Sequence, residues 1–289
     1  MNRRAFYIGL LAPGLIILVL VIGYPTILTF YYSATNLHIY HPPGVFIGLR
    51  NYLEIFGSES ELYPALLSNI VWTAASVVFQ LFFGMIAALC LSGIRRGVSL
   101  FRILLFVPWT FPAVSLAFSW KWMLEPAIGI VNYFLIRLGI IAGPIGWFGD
   151  MSRAMPSVIA MNIWFGVPYM IISIIAGLDS IPADVYDSAK IDGANDWQTF
   201  WQITIPMLAR ILLVVVSLRV LWVFNNFSFV FMTTGGGPNN RTNILPVLIY
   251  QVGFREGWLG RASALAVVSL AILTVFAAFL LRRTDEAHE

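Results

Sequence analysis

IPADVYDSAKIDGANDWQTFWQITIP, residues 181–206, is a long polar interruption between two apolar runs. It reads as two short amphipathic helices hinged at Asp192-Gly193. Asp184 supplies negative charge to the first turn, where the helix dipole favours it. Gly193 is able to take the positive φ that a sharp turn needs. Trp197, Phe200 and Trp201 follow at i, i+3 and i+4, an apolar stripe suited to lie under a membrane.

The flanking runs explain why a membrane is expected at all. Of 289 residues 59% are hydrophobic and only 11% charged, about half the charge of a soluble domain. A helical crossing needs roughly 20 mostly apolar residues. Six segments qualify: residues 6–32, 67–91, 103–123, 155–178, 207–233 and 263–281. The expected fold is therefore an all-α integral membrane protein of six transmembrane helices, forming a single transmembrane domain over 1–289. The first run follows a basic start at Arg3 and Arg4. It is about twice as long as the apolar core of a signal peptide, and Pro25 is followed by TILTFYYS, not by a small-residue cleavage site. It reads as a retained helix.

Orientation follows from basic residues near the helix ends. The short loop GIRRGVSLFR, with Arg95, Arg96 and Arg102, places the link between helices two and three inside. Both termini and the 181–206 loop are then cytoplasmic, an N-in/C-in topology. A net charge of +3 fits this anchoring, with no call for nucleic acid. Cys90 has no intrachain partner for a disulfide, and His38, His41 and His288 are too few and too scattered for a multi-histidine metal site in the helices.

Outside the spans, FIGLRNYLEIF (46–56) and GIVNYFLIRLGI (129–140) read as small helices at the outer surface. TNILPVLIYQVGF (242–254) reads as an inclined surface helix. The Gly235-Gly236-Gly237-Pro238 run lacks the Lys-Ser/Thr of a phosphate-binding loop and is expected on the outer side.

One charge stands inside a predicted span. Arg219 lies near the middle of helix five, where an ionised side chain faces a partner or a water-filled cavity. No acidic residue falls in a predicted helix core. Taken as one continuous helix, the segment carries Trp222, Asn226 and Phe229 on the face of Arg219, flanked by Asn225. Guanidinium and amide groups bond hydroxyls and an indole stacks on a sugar's apolar face, so this set suits a carbohydrate path. Asn162, Trp164 and Tyr169 on helix four form a second set, with Asn162 and Tyr169 sharing a face. Arg219 has an alternative role, bonding carbonyls or a carboxylate on a partner chain. Gly166 and Pro168 mark a bend in helix four.

The loop has a specific spacing: Asp187-Ser188-Ala189, three residues, Gly193, nine residues, then Ile203-Thr204-Ile205-Pro206. This resembles the EAA loop of the membrane subunits of binding-protein-dependent ABC importers, with Asp for Glu, Ser for the first Ala and Ile for Leu. YPTILTFYYSATN, SNIVWTAASVVFQLFFGMIAALCL, FRILLFVPW, MTTGGGPNN and IYQVGF are similar to segments of sugar-importer permeases, so the likeness covers nearly the whole chain. The subtype resembles the maltose-type F subunit, without that subunit's extra N-terminal helices and large outer domain. The resemblance implies the type I importer fold in a prokaryotic cytoplasmic membrane. It implies a partnership with a distinct G-type permease, two ATP-binding subunits, an extracytoplasmic binding protein and a sugar substrate. ATP and Mg would be bound by the partners, leaving this chain with no cofactor and no catalytic residue. Val185, Tyr186 and Ala189 would pack into a groove on the ATPase, Asp187 would anchor and Gly193 would bend, with Asp184 and Ser188 in the same helix. Importers of glycerol phosphate are a competing class, with Arg219 as anion contact. An ion-coupled secondary transporter is disfavoured by the lack of intramembrane carboxylates and of internal repeats.

Overall fold

The computed structural model describes residues 3–92 and 98–286. Arg95, Arg96 and His288, used above for orientation and metal chemistry, lie outside the described residues. Among those described, the chain is helical apart from turns and one isolated bridge between Thr35 and Phe46. Five helical stretches are long and apolar enough to cross a membrane: Leu10–Ser33, Leu62–Ser92, Ala154–Asp179, Asp196–Phe224 and Leu259–Leu280.

The third expected span, 103–123, is not one helix. It is split into Val98–Thr110 and Ala113–Met123, of 13 and 11 residues. At 1.5 Å per residue each is about 20 Å or less, short of the roughly 30 Å hydrocarbon core. Proline explains the break. Pro112 has no N–H to donate, and it disfavours helical geometry at Phe111 before it. Its own ψ is 136°, and its carbonyl accepts from Leu116 N at 3.0 Å to start the next helix. The fifth expected span, 207–233, also differs. The helix runs from Asp196 to Phe224, stops at Asn225-Asn226, and a separate helix covers Phe227–Thr233.

The chain divides into two compact units where the sequence reads as one domain. The first comprises Met1–Tyr63 and Leu248–Ile272. In it Asn51, from helix Arg50–Ile55, donates to Ser33 O at 2.8 Å and Thr35 O at 2.7 Å. Glu54 on the same helix accepts from Arg261 at 2.6 Å and from Arg50 at 3.1 Å. The Arg261 bond, helped by Arg50, holds the Glu54 carboxyl below its ordinary range.

The second unit comprises Pro64–Val247 and Leu273–Glu289. Its core joins Trp72, Val77 and Ala88 to Val158, Met161, Met170, Ile171, Ile174, Leu208 and Val223. Helix Leu62–Ser92 is inverted relative to a soluble amphipathic helix. Asn69, Thr73, Ser76 and Gln80, spaced by four, three and four, share one face and are buried. Val78, Phe79, Phe82, Phe83 and Ile86 are exposed, as a lipid-facing surface requires. Residues 242–254 are the other correction. Ile244, Leu245 and Val247 are buried, not laid on a surface, because Leu245 N is bonded to Asn69 Oδ1 at 3.2 Å. The 124–153 loop is tied by Asn132. Its amide donates to Ile145 O at 2.9 Å and its oxygen accepts from Trp147 Nε1 at 2.9 Å.

Trp72 Nε1 donates to Val223 O at 2.9 Å, at the end of helix Asp196–Phe224. Trp72→Phe removes that donor and leaves part of the indole's volume unfilled, so it is expected to cost about 1 kcal/mol or more. Thermal unfolding of the purified transporter should show a lower midpoint for Trp72→Phe. The half-exposed Trp164→Phe should leave the midpoint unchanged.

Candidate functional site

The loop at 181–206 is built around Gly193. Helix Ala183–Ile191 begins after Pro182, whose carbonyl accepts from Val185 N at 3.2 Å. It ends with Gly193 N donating to Lys190 O at 3.1 Å and Ala194 N to Ala189 O at 2.9 Å. Gly193 has φ +81°, and a Cβ built there would meet nothing within 4 Å. The backbone angle alone therefore selects glycine. The chain re-enters helix through a capping box. Asn195 Oδ1 accepts from Gln198 N, and Gln198 Oε1 accepts from Asn195 N, both at 2.9 Å. Sequence reasoning passed over this pair, although Asn-x-x-Gln before an apolar run is its signature.

The second of the two expected short helices is not separate. Residues 196–199 run through a π-helical turn, Phe200–Thr204, straight into Ile205–Phe224. The expected packing face of the first helix also needs correction. Ala189 is buried, and Tyr186 turns inward with its hydroxyl 3.3 Å from Thr204 Oγ1. Val185 is half-buried. Tyr186 and Ala189 thus face the helix's own chain. The face turned outward carries Asp184, Asp187, Ser188 and Ile191, the last 86% exposed. Asp187 and Lys190 form an exposed pair at 3.5 Å, a weak contact.

Within the membrane segments, Arg219 is buried to 4% exposure. Its Nε donates to Gln80 Oε1 at 2.6 Å, and Gln80 Nε2 donates on to Asn162 O at 2.8 Å. Three helices are joined by this chain of bonds, with a neutral amide in place of a carboxylate. Phe165 lies 6.0 Å from the guanidinium carbon. Gly166 makes room for the arrangement. A Cβ there would come within 2.3 Å of Arg219 Nη2 and of the Gln80 amide. Arg219 Nη2 and both side-chain polar atoms of Asn162 have no hydrogen-bond partner.

The helix break rearranges the first candidate set. Asn226 does not extend the Arg219 face. Its Oδ1 caps the next helix by accepting from Phe229 N at 3.2 Å. Phe229 is fully buried, edge-on to Phe165 at 5.0 Å. Trp222 remains half-exposed and Asn225 is exposed, its amide donating to Leu221 O at 3.2 Å. Of the second set, Tyr169 joins Trp222, with ring centroids 5.3 Å apart. Asn162 is buried and bonded through its backbone. Trp164 stands elsewhere, against Trp120 at 5.7 Å, beside an apolar cavity of about 630 Å³ walled by Phe83, Leu105 and Pro168.

The structure adds Trp109, which no candidate set contained. Its ring stacks on Tyr169 at 5.4 Å with 13° between planes and lies 6.3 Å from Trp222. Its Nε1 is buried without a partner. Sequence offered no local signal, because Trp109 belongs to the broken 103–123 segment and meets the others only through tertiary packing. Trp109, Tyr169 and Trp222, with Asn225 at the helix end, form the aromatic and amide group able to receive a ligand with flat apolar faces and hydroxyls.

Comparison with known proteins identifies the family. A family model described as the binding-protein-dependent transport system inner membrane component matches residues 80–285. The chain is 30% identical over 292 residues to the diacetylchitobiose uptake system permease protein DasB of Streptomyces coelicolor, covering 97% of this chain and 88% of that protein. It is 29% identical over 267 residues to the trehalose/maltose transport system permease protein MalF of Thermococcus litoralis, covering 92% and 89%. Among solved structures, a bacterial ABC transporter involved in the import of the acidic polysaccharide alginate contains a chain matching with TM-score 0.85. It is 20% identical, the match covers 100% of this chain and 98% of that one, and it speaks to the fold.

The Arg219–Gln80 pair should be strongly non-additive. Gln80→Leu leaves a buried guanidinium without its acceptor and is expected to cost about 2 kcal/mol or more. The double variant Gln80→Leu/Arg219→Leu removes both polar groups and should recover much of that loss. Thermal midpoints and assembly yields of the single and double variants provide the check.

Proposed function

Because the chain belongs to the family of binding-protein-dependent transport system inner membrane components, and is thus an ABC importer permease and no enzyme itself, we propose that it forms one half of a carbohydrate path. The other half is a distinct G-type permease. Two ATP-binding subunits, which hold ATP and Mg, drive the cycle, and an extracytoplasmic binding protein delivers the sugar. The single observation that carries the substrate class is the aromatic group Trp109, Tyr169 and Trp222, beside the broken helix that ends at Asn225. Aromatic faces stack on the apolar faces of sugar rings, and a lone exposed amide selects among hydroxyls. The uptake of diacetylchitobiose and of trehalose or maltose by systems containing related permeases supports the same class. A glycerol-phosphate substrate loses its main support, because Arg219 is buried and already bonded to Gln80.

The loop at 181–206 is the coupling element of this reading. ATP-driven closure of the partner subunits would push on Asp184, Asp187, Ser188 and Ile191. Ala189 and Tyr186 would carry the push into the membrane helices as a rigid lever. Gly193 fixes the angle between the short helix and the long one.

Trp222→Ala and Trp109→Ala should lower sugar uptake at least tenfold while preserving assembly and basal ATP hydrolysis. Uptake against substrate concentration at matched complex levels is the measurement, and parent-like uptake by both variants would move the path elsewhere. Asp187→Lys should weaken retention of the ATP-binding subunit, and Gly193→Val should break coupling, since a β-branched residue resists positive φ. Co-purification and transport-linked ATP hydrolysis report on both.

A further inference from the structure

A cavity of about 580 Å³ lies wholly within the first unit, walled by residues between 54 and 62 and residues between 248 and 265. Three apolar helical stretches set its level in the membrane. Leu62 and Leu259 begin two of them. Ser33 ends a third, and its carbonyl accepts from Asn51 on the short helix that carries Glu54. A place where spans begin and end is a membrane–water interface. The side chains next to the lining residues fit that level. Phe56, Tyr63, Phe254 and Trp258 are exposed, as the aromatic belt of a membrane protein is, and the Tyr63 hydroxyl donates to Phe56 O at 3.1 Å.

The lining is chemically divided. Its base is apolar, with Leu62, Leu248, Val252 and Leu265 all buried. Its rim is anionic, with Glu59, Glu61 and Glu256 exposed. Its wall holds the Arg261 guanidinium, which donates to Glu54 at 2.6 Å and has further N–H groups to give. Glu54 is already answered by Arg261 and Arg50, so the unanswered excess lies at the rim. The complement is a molecule with a cation for the rim and an anion for the guanidinium, carried on an apolar body that stays in the membrane. A phospholipid with a primary ammonium headgroup has all three in one molecule. An anionic headgroup has the phosphate but no cation, and the carboxylates repel it. Basic pockets select anionic lipids by the same rule with the sign reversed.

We propose that this cavity is a binding site for a phospholipid bearing a primary ammonium headgroup, with Glu59 and Glu256 receiving the ammonium and Arg261 the phosphate. The site rests on neither the sugar path nor the coupling loop. A bound headgroup bridges the 57–61 turn to the π-helical turn Gln251–Arg255, two segments far apart in sequence that meet in this unit. It also covers the apolar base of the cavity, which water alone would leave poorly satisfied.

Native mass spectrometry of the complete, delipidated transporter tests it, with phosphatidylethanolamine or phosphatidylglycerol added back. Phosphatidylethanolamine adducts should exceed phosphatidylglycerol adducts about fivefold or more, and equal or reversed retention would overturn the proposal. Glu59→Gln/Glu256→Gln should reduce that preference to about twofold or less, and Glu59→Lys/Glu256→Lys should turn it toward phosphatidylglycerol. An unchanged preference in both variants would place the lipid elsewhere and overturn the site. A measurement on the parent protein needs no variant to fold. Phosphatidylethanolamine with a free amine and a diazirine on the first carbons of an acyl chain is photolysed on the transporter, and the adducts are mapped by peptide. Adducts within residues 53–63 or 248–265 are expected, and adducts confined to other segments would overturn the assignment. Soluble phosphoethanolamine in excess should leave the lipid adducts in place. Its displacing them fully would make this a site for a soluble ammonium compound and overturn the lipid assignment.

Discussion

Hydrocarbon offers no hydrogen bonds, so a helix that stops inside a membrane must find partners for the backbone groups it frees. The stop at Asn225-Asn226 meets this demand with side chains from elsewhere in the same unit. Trp72 takes Val223 O, and Asn69 lies 3.5 Å from Phe224 O while accepting from Leu245 N. On the far side of the gap, Asn226 supplies the cap for the next helix. Asn69, on the polar face of helix Leu62–Ser92, therefore serves the broken helix opposite it. The break in turn leaves Asn225 exposed next to the aromatic group of Trp109, Tyr169 and Trp222.

Farther along the same polar face, Gln80 performs a related task for Arg219. A buried arginine bonded to an amide keeps its charge without a neutralising carboxylate. That is costly, and the surroundings share the cost: Phe165 faces the guanidinium, and Gly166 omits the side chain that would displace it. Gly166 therefore acts through close approach, and Gly193 through backbone angle. The same residue type serves two distinct physical ends.

The sequence was legible wherever one local signal decided the matter. Apolar runs long enough to span identified the helices at Leu62–Ser92 and Ala154–Asp179 within a few residues. The Gly193 turn was readable because positive φ has few sequence solutions. Proline and asparagine breaks inside apolar runs were less legible, since membrane helices often tolerate them. Pro112 ended a helix while Pro168 remained inside one. What distinguishes the two is tertiary support, which composition does not display. The candidate site suffered for the same reason. A continuous-helix assumption grouped Arg219 with Asn226 and Phe229, and the real break separates an inward pair, Arg219 and Phe229, from an outward one, Trp222 and Asn225. Trp109 was invisible because its neighbours are about 60 and 110 residues away in sequence, and only packing unites them.

In the coupling role proposed for the loop at 181–206, one short helix serves two ends. On its inward side Ala189 is buried, and the Tyr186 hydroxyl lies 3.3 Å from Thr204 Oγ1 at the base of the long helix. Two of its outward residues, Asp184 and Asp187, are acidic, and the exposed pair of Asp187 with Lys190 gains little in water. Such charges are free to be satisfied by a partner without first breaking a strong internal bond. A lever needs that asymmetry: firm attachment to the part it must move and weak self-association on the part that is pushed. The capping box of Asn195 and Gln198 completes the device by making the far side of the Gly193 bend start as a well-formed helix. In that role a push on the short helix would meet an ordered long helix from its first turn, and the motion would reach the membrane segment instead of being lost in a frayed end.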